Sequence, residues 1–120
     1  MTVSRNLIAF AALNGALAVA LGAFAAHGAG PQIKTLLTTG AQYQIVHAVF
    51  AFACAQWTGG GGLARLAGWL GSIGGLIFCL ALAAIAFLGV PAFGAVAPIG
   101  GLLMTAGWLC LAFAALRSRP

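Results

Sequence analysis

Aspartate and glutamate are absent from this 120-residue chain, and only five residues, all basic, carry charge. No carboxylate is therefore available as a general acid or base, a hard-cation ligand or an acidic station for a proton relay. The expectation is a protein that is not an enzyme. G-x-S-x-G is also missing, and no acid stands ready to orient a histidine. Cys54, Cys79 and Cys110 fall in separate apolar runs with no C-x-x-C pair, so they read as small hydrophobes rather than a metal site. The charges Arg5, Lys34, Arg65, Arg117 and Arg119 stand singly, which leaves no basic stripe to follow the phosphates of a nucleic acid.

What fills the chain instead is apolar: 63% of residues are hydrophobic and 4% charged, against roughly 25% charged in soluble domains. So much apolar surface belongs in a bilayer. Runs of about 20 residues predict one domain over residues 1–120, an all-α bundle of four transmembrane helices. The spans are expected at about 6–26, 41–57, 65–88 and 99–116. The first is long enough to be a retained helix rather than a cleaved signal, although "AFA" (Ala23 to Ala25) resembles a cleavage site. "PQIKTLLTTG" (31–40) has Ile33, Leu36 and Leu37 at i, i+3 and i+4, which predicts a short amphipathic helix lying in the interface. "TGGGG" and "GVPAFGAVAP" are the remaining connections.

Four spans place Arg5, Arg65, Arg117 and Arg119 on one side and Lys34 on the other. By the positive-inside rule both termini are cytoplasmic. In lipid, helices associate through close packing of small residues. Gly15 and Gly22, Gly68, Gly71 and Gly75, and Gly100, Gly101 and Gly107 are the candidates on three spans.

Polar residues inside the spans are few: Asn14, then Gln42, Tyr43, Gln44 and His47, then Ser72 and Thr105. Tyr43, Gln44 and His47 share a helix face. A rise of about 1.5 Å per residue puts His47 roughly 9 Å below the outer boundary of its span, level with Thr105. Asn14 and Ser72 come out level in the inner half. Two hydrogen-bonded pairs follow as expectations, His47 with Thr105 and Asn14 with Ser72. His27, at the outer end of the first span, is too far in depth from His47 for bis-histidine haem ligation. No cofactor is expected. His27 reads as a cap on the first helix, bonding nearby carbonyls or Gln and Tyr side chains.

"GAFAAHG" (Gly22 to Gly28), "AQYQIVHA" (Ala41 to Ala48) and "PIGGLLMTAGW" (Pro98 to Trp108) occur in order. Together they resemble the YgdD-like family, small four-helix bacterial inner-membrane proteins with mitochondrial relatives and no established activity. The resemblance covers Gly15 to about Ala112. It implies four spans in the inner membrane and maps recurrent polar positions onto His27, Tyr43, Gln44 and His47. It maps the family's proline-glycine turn onto Pro98, Gly100 and Gly101. Where relatives tend to read F-S-G-S-L-Y, this chain has "FCLALA" (Phe78 to Ala83), which implies a drier third span.

The leading expectation is an accessory or structural subunit that forms a homo-oligomer or packs into a larger membrane complex. It has the lipid bilayer as its other partner and no known small-molecule substrate. The alternative is a small-solute or lipid carrier with an outward pocket around His27, Tyr43 and His47.

Overall fold

The computed structural model describes residues 3–118; Arg119, read above as a topology signal, lies outside them. Four long helices follow one another: α1 (Arg5–His27), α2 (Pro31–Gln56), α3 (Gly61–Leu88) and α4 (Ala97–Arg117). Short 3₁₀ turns, Thr58–Gly60 and Pro91–Ala95, precede α3 and α4. Each boundary has a local cause. The Ser4 hydroxyl accepts from the Leu7 N–H at the start of α1. Pro31 sits in the first turn of α2, where a missing N–H leaves nothing unpaired. Gly89 closes α3 at φ +68°, its N–H donating to the Ile85 carbonyl at 3.0 Å, a left-handed cap that glycine adopts without strain.

One expected boundary is absent. Segment 31–40 is not a separate interfacial helix; it is the first part of α2, which runs unbroken to Gln56. Its apolar stripe faces inward: Leu37 is buried with Ala25 and Ala83, and Ile33 packs on the same cluster. Gly40 continues the helix. A Cβ there would lie 3.2 Å from the Cys79 Cα, so its lack of a side chain lets α2 approach the α3 backbone.

α3 is the central helix. It packs extensively along α2 and α4 and more lightly along α1, through Phe10 on Trp69 and Phe24 on Phe87 at ring separations of 5.3 and 5.8 Å. α1 and α3 run in the same direction, with α2 and α4 antiparallel to them. Buried Ala64, Ala67, Gly68, Gly71, Gly74 and Gly75 clear the surface of α3. Against α4 the two backbones touch. A Cβ on Gly100 would lie 2.6 Å from both the Gly74 oxygen and the Phe78 nitrogen, and one on Gly107 2.9 Å from the Ala67 oxygen. On the opposite side, a Cβ on Gly68 or Gly71 would meet Leu7 or Phe50 at 2.7 Å, and one on Gly75 would meet the His47 Cβ at 3.2 Å.

Gly101 departs from its expected packing role, while Gly15 and Gly22 pack on α2 without a backbone contact. Gly101 faces open space, because it lies about 100° around the helix from Gly100. Gly15 and Gly22 face α2 at ordinary distances, 3.8 Å to Ile45 and 3.7 Å to Ala41. Gly74 and Gly40, which spacing did not single out, lie at close backbone approaches instead.

Alanine at Gly100 forces α3 and α4 apart and is expected to destabilise the bundle by about 1–3 kcal/mol. Gly101→Ala, one residue away, is expected to leave stability unchanged or slightly raised. Thermal unfolding of both variants in mild detergent checks the contrast; equal behaviour would contradict the backbone contact.

Candidate functional site

The polar side chains inside the bundle gather in a layer halfway along the helices. At about 1.5 Å per residue, Asn14 lies about 14 Å from Arg5, His47 about 14 Å from Gln56, and Trp108 about 14 Å from Arg117. Gln44 is one turn further in. His47 is about 24 Å from the Pro31 end of α2, which begins ten residues before the apolar run at Ala41.

His47 is buried, and both ring nitrogens are engaged. Nδ1 lies 2.7 Å from the Tyr43 carbonyl oxygen one turn back, and the Trp108 indole N–H donates to Nε2 at 3.0 Å. An indole nitrogen can only donate, so Nε2 is the bare nitrogen and Nδ1 carries the hydrogen. The ring is a neutral imidazole with its tautomer set by its partners. Phe50 supports the arrangement, its ring 4.2 Å from that of Trp108 and 6.0 Å from that of His47. Gly71 and Gly75 of α3 leave the recess that admits these side chains.

Gln44, on the same helix, reaches the other way. Its Nε2 donates to Asn14 Oδ1 on α1 at 2.8 Å, and both residues are buried. Among the described residues, Asn14 Nδ2 and Gln44 Oε1 are the buried side-chain atoms that lack a partner. The pair thus joins α1 to α2 with a single bond where two amides have capacity for more.

The expected pairings are replaced. Asn14 pairs with Gln44 rather than Ser72, whose hydroxyl donates to the Gly68 carbonyl of its own helix at 2.7 Å. His47 pairs with Trp108 rather than Thr105, which is exposed and donates to the Gly101 carbonyl at 2.9 Å. Serine and threonine satisfy themselves on the preceding turn, so their hydroxyls do not reach another helix. Hydroxyls and amides do not point to Trp108; its donor-only indole, level with His47, is the signal the sequence carries for this partner.

His27 is exposed at the end of α1, and the cap is made by backbone, Gly28 N–H and Ala29 N–H both donating to the Phe24 carbonyl. Tyr43 is half exposed, its ring edge-on to Phe78 at 4.9 Å, and Gln42 is exposed. His27, Tyr43 and His47 do not converge: Tyr43 is about 18 Å along α2 from Pro31 and His47 further still. Among the described residues no three of His, Cys, Asp and Glu come together.

Comparison of the sequence with known proteins finds a family. Residues 21–101 match the family described as "Protein of unknown function (DUF423)". The chain belongs to this family. A UPF0382 membrane protein of Haemophilus influenzae is 38% identical over 98% of both chains. YwdK of Bacillus subtilis, also named a UPF0382 membrane protein, is 33% identical over 94% of this chain and 98% of its own. The UPF0382 inner membrane protein YgdD of Escherichia coli is 33% identical over 95% and 92%. No solved structure matches the chain. Membership makes this a membrane protein of a family of unknown function, consistent with three helices among the described residues long and apolar enough to cross a bilayer. In the "FCLALA" departure Cys79, Ala81 and Ala83 are buried, Cys79 at Gly40 of α2 and Ala83 with Ala25 and Leu37, while the Phe78 backbone meets Gly100 of α4.

His47→Ala and Trp108→Phe in a double-mutant cycle are expected to couple by about 0.6 kcal/mol and by no more than about 1.7. Unfolding in detergent measures each corner; strictly additive losses would mean the indole–imidazole bond adds nothing.

Proposed function

We propose that the chain is a non-enzymatic structural or accessory component of the bacterial inner membrane, crossing it four times with both termini in the cytoplasm. The observation that carries this reading is the complete engagement of His47. Its two ring nitrogens are both committed inside the bundle, to the Tyr43 carbonyl and the Trp108 indole, so an outside ligand or a proton acceptor would have to displace one of these bonds. Ser72 and Thr105 likewise bond within their helices.

α2 is read as the fourth span because it runs antiparallel between α1 and α3 for its full length, about 39 Å. Its buried face carries Gln44 and His47 of the polar layer, which account for part of a polarity higher than that of the other three. The charges support the orientation. Arg5, Arg65 and Arg117 stand at one end of the bundle, beside the Gln56–Gly61 connection, and Lys34 stands at the other.

The accessory role is supported by how little of the chain lies outside the helices. The connections are short, so partners are expected within the membrane. One observation favours the carrier alternative: an open groove of about 430 Å³ lined by Gln42, Tyr43, Ile45, Val46 and His47.

Native mass spectrometry of protein extracted with its lipid separates the two. A fixed homo-oligomer or a stoichiometric protein complex is expected. A monomer bearing a small-molecule or lipid adduct that His47→Ala abolishes would replace the accessory reading with the carrier, and a bare monomer would sink both.

A further inference from the structure

The helix that is least suited to lipid presents its outer face to lipid. α2 has the length to span, yet it is not among the three helices apolar enough to do so on composition. Its buried polar groups account for part of that. Gln42 does not belong to them: it is exposed, about 17 Å from one end of α2 and about 21 Å from the other. A primary amide at that depth faces hydrocarbon, which offers no hydrogen-bond partner.

Gln42 is one step of a regular seam. Thr35, Gln42, Val46, Val49, Ala53 and Gln56 are all exposed, and they follow one another at intervals of seven, four, three, four and three residues. That is the 3.5-residue repeat of a helix face that meets another helix at a shallow left-handed crossing. The seam is built from β-branched and small residues with a polar group at intervals. Polar residues at such positions fix register between paired helices. Val46 and Val49 are 52% and 61% exposed, so the middle of the seam is open.

The surface around the seam has the shape of a ridge between two grooves. Between α2 and α4 lies a groove of about 460 Å³ lined by Val46, Val49, Ala53, Trp108 and Leu111 among others. Between α1 and α2 lies another of about 250 Å³, lined in part by Gly15, Val49 and Phe52. A ridge flanked by a groove is self-complementary: turned about a two-fold axis, the ridge of one copy enters the groove of the next. An amide is self-complementary too, since each carries a donor and an acceptor. A two-fold axis normal to the membrane lays two α2 helices parallel and brings Gln42 opposite Gln42.

We infer that the exposed α2 seam is a dimer interface through which two copies of this chain associate, with a reciprocal Gln42 amide pair at its centre. The partner is a second copy rather than a different protein because shape and amide are each their own complement. The inference rests on the four-span reading of α2 and gives the structural component a partner.

Disulfide trapping in native membranes tests it. Cysteine placed singly at Val46, Val49 or Ala53 of the full chain is expected to give an oxidant-dependent band of twice the monomer mass. Leu13→Cys and Leu102→Cys, on exposed faces of α1 and α4, are expected to give no more than the unsubstituted chain, whose own cysteines supply the baseline. In detergent, Gln42→Leu is expected to weaken the dimer about threefold to tenfold without changing the monomer's melting temperature. Equal trapping at the control positions, no trapping along the seam, a cross-link to a protein of different mass, or unchanged association of the Gln42 variant would each overturn the proposal. A stoichiometric complex with a different protein, found by mass spectrometry alongside failed trapping, would overturn the dimer while leaving the accessory reading in place.

Discussion

Burial of apolar surface does little to hold helices together when the surrounding lipid is as apolar as the side chains. What holds this bundle is close approach, and the approach is set by α3. Ala67, Gly71, Gly74 and Phe78 present backbone to Gly100, Met104 and Gly107 of α4, while Gly68, Gly71 and Gly75 admit Leu7, Phe50 and His47 from the other side. Dispersion at such distances, summed over many atoms, supplies the attraction that burial cannot. α2 and α4 take their places against α3, α1 is seated mainly on α2, and α1 and α4 need not meet.

That geometry in turn makes the polar layer possible. Because Gly75 leaves room beneath α2, His47 and Gln44 lie flat against α3 and extend in opposite directions, one to Trp108 and one to Asn14. The layer works as a register pin for three helices rather than as a large source of stability, since interhelical bonds of this kind average about 0.6 kcal/mol. A pin of this sort needs its imidazole neutral and its amides mutually aimed. Chemistry on an outside ligand would need those same groups released.

Much of the fold was readable from residue order. Apolar runs of spanning length located α1, α3 and α4 within a few residues, and the glycines at 68, 71, 75, 100 and 107 could be picked out by spacing. The failures have physical causes. Gly40 and the threonines before it look like a helix end, yet glycine at 40 serves a backbone contact with Cys79 that no local pattern reveals. Adjacent glycines at 100 and 101 are indistinguishable in sequence, although one faces α3 and the other faces outward. The choice of Thr105 over Trp108 as the partner of His47 followed from treating tryptophan as packing, when its indole is an obligate donor.

The link between α1 and α2 is short, Gly28 to Gly30, and α2 is the least apolar of the four helices. On the four-span reading this has a consequence for how the protein enters the membrane. α2 gains little by partitioning alone, because its amides and imidazole would meet hydrocarbon bare. Paired with α1 it arrives as a hairpin in which Asn14 already answers Gln44, so one half of the polar layer is covered before α3 exists. The imidazole waits longest, since its indole partner is the last of these groups to be synthesised. The order of polar partners along the chain thus gives a schedule for assembly, with the bundle closed only when α4 inserts.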